Sequence, residues 1–195
     1  MKKFELTSEF ITNIFGTKLF RIKALIEFGN VKAGELGGFV EKEENLNHEG
    51  NAWVYGNAEV YGNARVYGNA SVYGDARVCG DARVYGNAWV YGNARVCDDA
   101  RVYGNAWVCG DARVCGDARV YGNADYATVH GFGSEYRTTT FFKTKAGEIG
   151  VRCGCFYGNL SEFRKKVVET HGETKKAKEY LMLADLMEFR FSDNS

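Results

Sequence analysis

Cys79, Cys97 and Cys115 stand eighteen residues apart, and each follows an arginine, Arg77, Arg95 or Arg113, by two positions. A guanidinium beside a thiol favours the thiolate, so this pattern fits redox chemistry or a soft metal, and neighbouring thiols at such a spacing are close enough for disulfides under oxidation. The plainer reading is packing, because cysteine replaces tyrosine at a repeated position. A second series pairs Arg65 with Tyr67, Arg83 with Tyr85, Arg101 with Tyr103 and Arg119 with Tyr121. Guanidinium and phenol planes in alternation can stack on bases and hold phosphates. Asp81, Asp99 and Asp117 precede three of those arginines by two residues, and seven arginines face seven acidic residues between Asn51 and Gly122. That balance favours salt-bridged, solvated ladders or an anionic ligand or acidic protein, and argues against duplex DNA. Cys153 and Cys155 read as two thiols on one side of a strand, with no second pair or histidine to complete a tetrahedral zinc set. His48 precedes the repeats, His130 follows them and His171 ends a helix. General-base or three-histidine metal chemistry therefore lacks its usual constellation, unless His48 or His130 meets a ligand across a subunit boundary. No cofactor and no metal are implied.

What must position these residues is a repeat. From Asn51 to Gly122 the chain is twelve uninterrupted copies of Asn/Asp-Ala-x-Val-Tyr/Cys-Gly, with Asp98 the sole departure from glycine at the sixth place. A period this strict signals a repeat architecture. Ala and Val lie two apart, as do x and Tyr, so each copy makes a short strand with Ala and Val inward and x and Tyr outward. Gly-Asn or Gly-Asp then turns the corner, since these residues accept the positive φ that a tight corner demands.

With three copies per coil, residues eighteen apart stack on one flat side. Trp53, Trp89 and Trp107, the only tryptophans, then share a wall with Ser71 in the missing rung. The Arg65 series forms a second column, and Glu59, Arg77, Arg95 and Arg113 a third. The result is a triangular prism with a tryptophan wall, an arginine–tyrosine wall and a cysteine wall. Trp53, Tyr55, Tyr73, Trp89, Tyr91 and Trp107 form an apolar face that a soluble monomer seldom exposes, so the expectation is a subunit interface or a face covered by a terminal segment. The arginine–tyrosine wall is the expected ligand or partner surface.

The ends differ from the array. Phe10 to Gly29 carries two apolar runs around "FGTK" and reads as a β-hairpin over the first coil, because an open solenoid end exposes strand edges and apolar interior. After the array, "TTTFFKT" and "EIGVRCGCF" read as a hairpin. Asn159 or Ser161 caps a helix carrying Leu160, Phe163, Val167 and Val168, ended by Gly172, and a second helix spans about 174–189. The boundaries expected are 1–50 for an N-terminal β cap and lead-in, 51–133 for the repeats and 134–195 for a ββαα cap. Lysine plus arginine and aspartate plus glutamate both total 25, which supports neither a nucleic-acid nor an anionic-membrane partner. No apolar run approaches a membrane span of about 18 residues, and the N-terminus lacks a signal-peptide core, so a cytoplasmic location with reduced cysteines is expected.

The "NAxVYG" array resembles the hexapeptide repeat of left-handed β-helix proteins. That resemblance implies an all-β solenoid, a left-handed parallel β-helix with three hexads per coil, and subunits packed side by side, a homotrimer ahead of a dimer. It also implies a rival function, coenzyme A-dependent acyl transfer, which is the best-known activity of the fold. The lead-in "VKAGELGGFVEKEENLNHEGNAWVY" is similar to that of YdcK-like hexapeptide-repeat proteins. With its tail "CGCFYGNLSEFRKKVVETHGETKKAKEYL", the chain also resembles small phage and prophage proteins. The reading that results is a non-enzymatic binding or assembly protein. If phage-encoded, it would act in the host cytoplasm in counter-defence, sequestering a nucleotide signal or blocking a host protein.

Overall fold

The computed structural model describes residues 1–133 and 135–192. Each of the twelve copies contributes a two-residue strand of x and Val, from β4 (Trp53–Val54) to β15 (Arg119–Val120). The hydrogen-bonded strand is thus shorter than the four residues whose alternation marks it. Every copy pairs in parallel with the copy eighteen residues away: Trp53 with Ser71, Ser71 with Trp89 and Trp89 with Trp107 on one wall, and Arg65, Arg83, Arg101 and Arg119 on another. Glu59, Arg77, Arg95 and Arg113 align on the third. The Ala and Val of all twelve copies have no exposed surface. A backbone ladder joins the coils, with Trp53 N donating to Ala70 O at 3.0 Å and Trp89 N to Ala106 O at 2.9 Å. The corner residues add a ladder of their own, since Asn69 Nδ2 donates to Asn87 Oδ1 and Asn87 Nδ2 to Asn105 Oδ1, each at 3.1 Å. Asn supplies the donor of that ladder, and Asp serves as acceptor where an Asn precedes it by one coil, as from Asn93 Nδ2 to Asp111 Oδ1 at 3.1 Å.

The solenoid begins earlier than the repeat does. β3 (Leu36–Val40) pairs in parallel with Glu59–Val60, and Leu46 bridges to Val66, so the lead-in already lays down part of a coil. β1 (Phe4–Thr12) and β2 (Lys18–Ala24) form the expected hairpin, which extends the cysteine-wall sheet sideways in the order β1-β2-β3 before the first repeat strand. Phe4 and Ile22 are fully buried in the cluster that closes this end. Lys3 Nζ donates to Gly50 O at 3.2 Å and Ala52 O at 2.9 Å, closing two carbonyls of the first coil, and lies 4.6 Å from the Phe28 ring centre. Burial lowers the Lys3 pKa to about 8.

At the other end the cap has four strands rather than two. β16 (Tyr126–Phe132), β17 (Arg137–Lys143), β18 (Ile149–Cys153) and β19 (Phe156–Asn159) form an antiparallel sheet in that order. Alternation along β17 makes it the joint: Phe142 packs into the solenoid core, while its neighbour Phe141 faces the helical core. α1 (Leu160–His171) starts at Asn159, whose side chain accepts from Glu162 N at 2.9 Å while Glu162 Oε2 accepts from Asn159 N at 2.8 Å. α1 buries Leu160, Phe163 and Val167, leaves Val168 exposed, and ends at Gly172 as expected. α2 (Lys175–Phe191) buries Ala177, Tyr180, Ala184, Met187 and Phe191.

Two predictions follow from stacking and burial. Gly86 has φ of +71°, and a Cβ there would sit 2.9 Å from Gly104 N, whereas Gly110, at φ of +63°, has open space around it. Gly86→Ala is expected to cost about 2 kcal/mol and Gly110→Ala about 1 kcal/mol, the second being conformational strain alone. Equal costs in urea unfolding would contradict coil-on-coil contact at the corner. Lys3 is charged in folded and unfolded chains below about pH 8 and neutral in both above its ordinary value of 10.5. Between these values the unfolded chain holds the extra proton, so Lys3 adds stability as pH rises through that window. The unfolding free energy of the wild type should gain on that of Lys3→Met by at most about 3 kcal/mol across it.

Candidate functional site

The tryptophan column does not present one uniform face. Trp53 is fully buried, with the Phe4 ring at 6.2 Å and the Phe28 ring at 5.3 Å, both edge-on. It therefore leaves the expected interface, because the N-terminal segment covers this rung. Tyr55 is half-buried against the same cluster. Further along, Trp89 and Trp107 stack at 5.3 Å and 10°, and remain 40% and 47% exposed. Tyr73 and Tyr91 stack beside them at 5.0 Å and 2°. Tyr126 Oη donates to Trp107 O at 2.6 Å, and Asn123 Oδ1 accepts from Trp107 N at 2.8 Å, so β16 and its preceding turn fix the last rung. A cavity of about 740 Å³ opens between this rung and α2, lined by Tyr91, Trp107, Tyr126, Leu186 and Phe189. Leu186, Phe189 and Met182 on α2 are more than half exposed. They lie outside the buried stripe of α2, which is Ala177, Tyr180, Ala184, Met187 and Phe191. Their apolar character at positions off that stripe is the signal in the sequence that a second face of α2 is apolar.

On the arginine–tyrosine wall, Tyr67, Tyr85 and Tyr103 stack at 4.8 and 5.1 Å within 9° of parallel, and Tyr121 turns edge-on. The expected salt-bridged ladder is confined to one end. Arg119 Nη2 donates to Asp99 Oδ2 at 2.9 Å and its Nη1 to the carbonyls of Asp99 and Ala118 at 2.8 Å, which holds the Asp99 carboxyl below its usual range. Among the described residues no ion pair joins Arg65, Arg83 or Arg101 to an acid, and the buried Nε of Arg101 has no hydrogen-bond partner. Arg65 and Arg83 are exposed. Together with Tyr67, Asn47 and His48 they line a cavity of about 630 Å³. Burial raises the Tyr67 pKa, keeping the phenol protonated.

The histidines have structural partners. His48 Nδ1 accepts from Lys3 N at 3.1 Å, its Nε2 lies 2.9 Å from Glu43 Oε1, and its ring stacks on Phe4 at 4.4 Å. His130 Nδ1 lies 3.1 Å from Thr138 Oγ1, and His171 stacks on Tyr180. On the cysteine wall, the hydrogen bond with Cys97 and burial push the Cys79 thiol up. Cys97 is pushed up to about 12, first by its hydrogen bond with Cys115. Cys115, 3% exposed, is held below its usual range by the bond from Cys97 and then by Arg152 and Arg113. Neighbouring thiols of the column therefore act on one another more strongly than the arginines beside them do. Asp98, at φ of +59°, accepts from Gly116 N at 2.9 Å through Oδ2, and that oxygen lies 3.8 Å from Cys97 Sγ. The Cys153/Cys155 expectation is corrected: Cys153 pairs with Phe156 across a tight Gly154–Cys155 turn, so the two thiols do not share a strand face.

No helix among the described residues is long and apolar enough to cross a membrane. No curated protein matches the chain. Residues 58–74, 76–92, 94–110 and 112–124 match the family model described as the YdcK beta solenoid repeat. Those segments begin eighteen residues apart, the spacing at which the strands pair, so the chain carries a YdcK-type β-solenoid repeat array with one matched segment per coil.

Proposed function

We propose that the protein is a binding and assembly module that associates with further copies of itself through the open part of its tryptophan wall. The observation that carries this reading is the pair Trp89 and Trp107, stacked yet 40% and 47% exposed, beside an exposed Leu186 and Phe189 across one groove. Indole and phenyl rings are among the largest contributors to interface energy, and such rings adjoining aliphatic side chains form an apolar patch that association would cover. The same chain shows what satisfies this column, since Trp53 is closed over by Phe4 and Phe28. A second copy supplies equivalent aromatic groups to the rungs that the N-terminal segment does not reach.

A second reading concerns the arginine–tyrosine wall. Its Tyr67–Tyr85–Tyr103 stack and exposed Arg65 and Arg83 adjoin a groove of about 630 Å³, an arrangement suited to a planar anionic ligand of the nucleotide class. Sequestration of a nucleotide signal would use this wall, and it requires no catalysis.

The two readings separate experimentally. Native mass spectrometry should show an oligomer for the wild type and a monomer for Trp89→Arg with Trp107→Arg. Arginine already occupies the same place in seven copies of the repeat, so the variant keeps the coil. A monomeric wild type overturns the assembly reading. Adenosine diphosphate should raise the melting temperature in a dose-dependent way, and Arg65→Ser with Arg83→Ser should abolish that rise, serine being accepted at Ser71. An unchanged melting temperature with the nucleotide in excess overturns the second reading and leaves the first standing.

A further inference from the structure

Asp98 is the one residue in twelve copies that breaks the glycine rule, and it does so at φ of +59°, where an L-residue costs about 1 kcal/mol over glycine. Its carboxylate does not extend into solvent alone. Oδ2 is tied to Gly116 N at 2.9 Å and lies 3.8 Å from Cys97 Sγ, on the wall where Cys97 stands one rung from Cys115. The donor atoms of Cys97, Asp98 and Cys115 all lie within 4.8 Å of one another, with Cys115 buried, Cys97 half-buried and Asp98 exposed. We propose that Cys97, Cys115 and Asp98 form a binding site for a soft divalent cation of the zinc class, two sulfurs and one oxygen holding the ion at the surface of the cysteine wall.

The geometry fits such an ion with small adjustment. Zinc takes sulfur at about 2.3 Å and carboxylate oxygen at about 2.0–2.2 Å, so tetrahedral ligand atoms sit roughly 3.5–4 Å apart, somewhat closer than the span found here. Cys97 and Cys115 are held in register by the parallel pairing of their coils, which presents both sulfurs to the same point. Cys79 is a further rung away, outside the group of three donors. Three protein ligands leave a fourth position, which the exposed side of Asp98 opens to water. On binding, each thiol releases its proton to solvent and each sulfur donates an electron pair to the metal. Two thiolates and a carboxylate carry three negative charges, so the bound divalent ion leaves one. Arg113 and Arg152, which already act electrostatically on Cys115, offset that charge. The cluster also accounts for an aspartate at a corner where every other copy uses glycine.

The test uses the full chain, reduced and handled without oxygen. Titration with cobalt(II) should produce a near-ultraviolet thiolate-to-cobalt charge-transfer band that saturates at one equivalent and is displaced by zinc. Cys97→Ser and Cys115→Ser should each remove the band, whereas Cys79→Ser and Cys155→Ser should leave it. Asp98→Gly restores the glycine of the repeat, so this variant should melt at or above the wild-type temperature while binding cobalt at least tenfold more weakly. A wild type without the band, a band that survives Cys97→Ser, or unchanged affinity in Asp98→Gly overturns the assignment.

Discussion

A narrow interior filled by one Ala and one Val per strand governs the rest of the molecule. These small side chains, fully buried in every copy, let three short strands close a coil around an apolar interior shielded from solvent. The next coil must then repeat the same path, because its amides donate to carbonyls seventeen residues ahead, as from Trp53 N to Ala70 O. A slip of one residue would turn Ala and Val outward. Interior packing therefore locks the register, and the register decides which outward side chains become neighbours. Trp89 meets Trp107, Tyr67 meets Tyr85, and Cys97 meets Cys115 as a consequence of what lies inside.

The same constraint makes the ends demanding. A coil offers its next neighbour a ring of unpaired amides and carbonyls around an apolar disc, so each end needs a cover that is both hydrogen-bonding and apolar. The N-terminal segment meets both needs, with Lys3 closing the carbonyls of Gly50 and Ala52 and Phe4 filling the core. At the C-terminal end, Lys145 N donates to Asp117 O, Arg113 N donates to Thr140 Oγ1, and Phe142 fills the interior. β17 also ties the solenoid to the helical cap, because Phe141 points to the opposite side. The covers then reach around the edges: one hides Trp53, and the other sets α2 beside Trp107. Which rungs of a wall remain open is thus decided by the caps and not by the repeat.

This division explains what could be read from the sequence. The coil, its three columns and the residues in each were legible because identical side chains recur at eighteen, and that period has one structural meaning when Ala and Val alternate with outward residues. The start of α1 was legible for a similar local reason, with Asn159 and Ser161 as the two candidate caps, of which Asn159 is the one used. Cover of the tryptophan wall by a terminal segment was one of the two expectations, but its restriction to Trp53 was not legible, since the cover comes from Phe4 and Phe28, which carry no repeat signal. The coil laid down by Leu36–Val40 was hidden because its pairing is offset by twenty residues, Phe39 with Glu59, and so lies outside the eighteen-residue grid. β19 is four residues long with one glycine, too short for alternation to distinguish it from a turn. The ion pairs of the arginine column were overestimated because the sequence places an aspartate two residues before three of the four arginines but does not show which carboxylate a long side chain reaches. Arg119 has Asp99 within range, while Arg101 leaves its Nε without a partner.

In a structure whose copies share one geometry, a difference between copies must come from outside the coil or from a changed residue. The arginine series shows the first case: four arginines in the same place range from exposed to multiply bonded, and Arg119, next to the cap, is the one fixed in position. Asp98 shows the second. Its neighbours are those of any corner, yet replacing glycine puts a carboxylate beside two thiols already in register. A strict repeat therefore does not dilute chemical information. It supplies the fixed spacing against which one substitution at position 98 acquires two partners without any further change in the backbone.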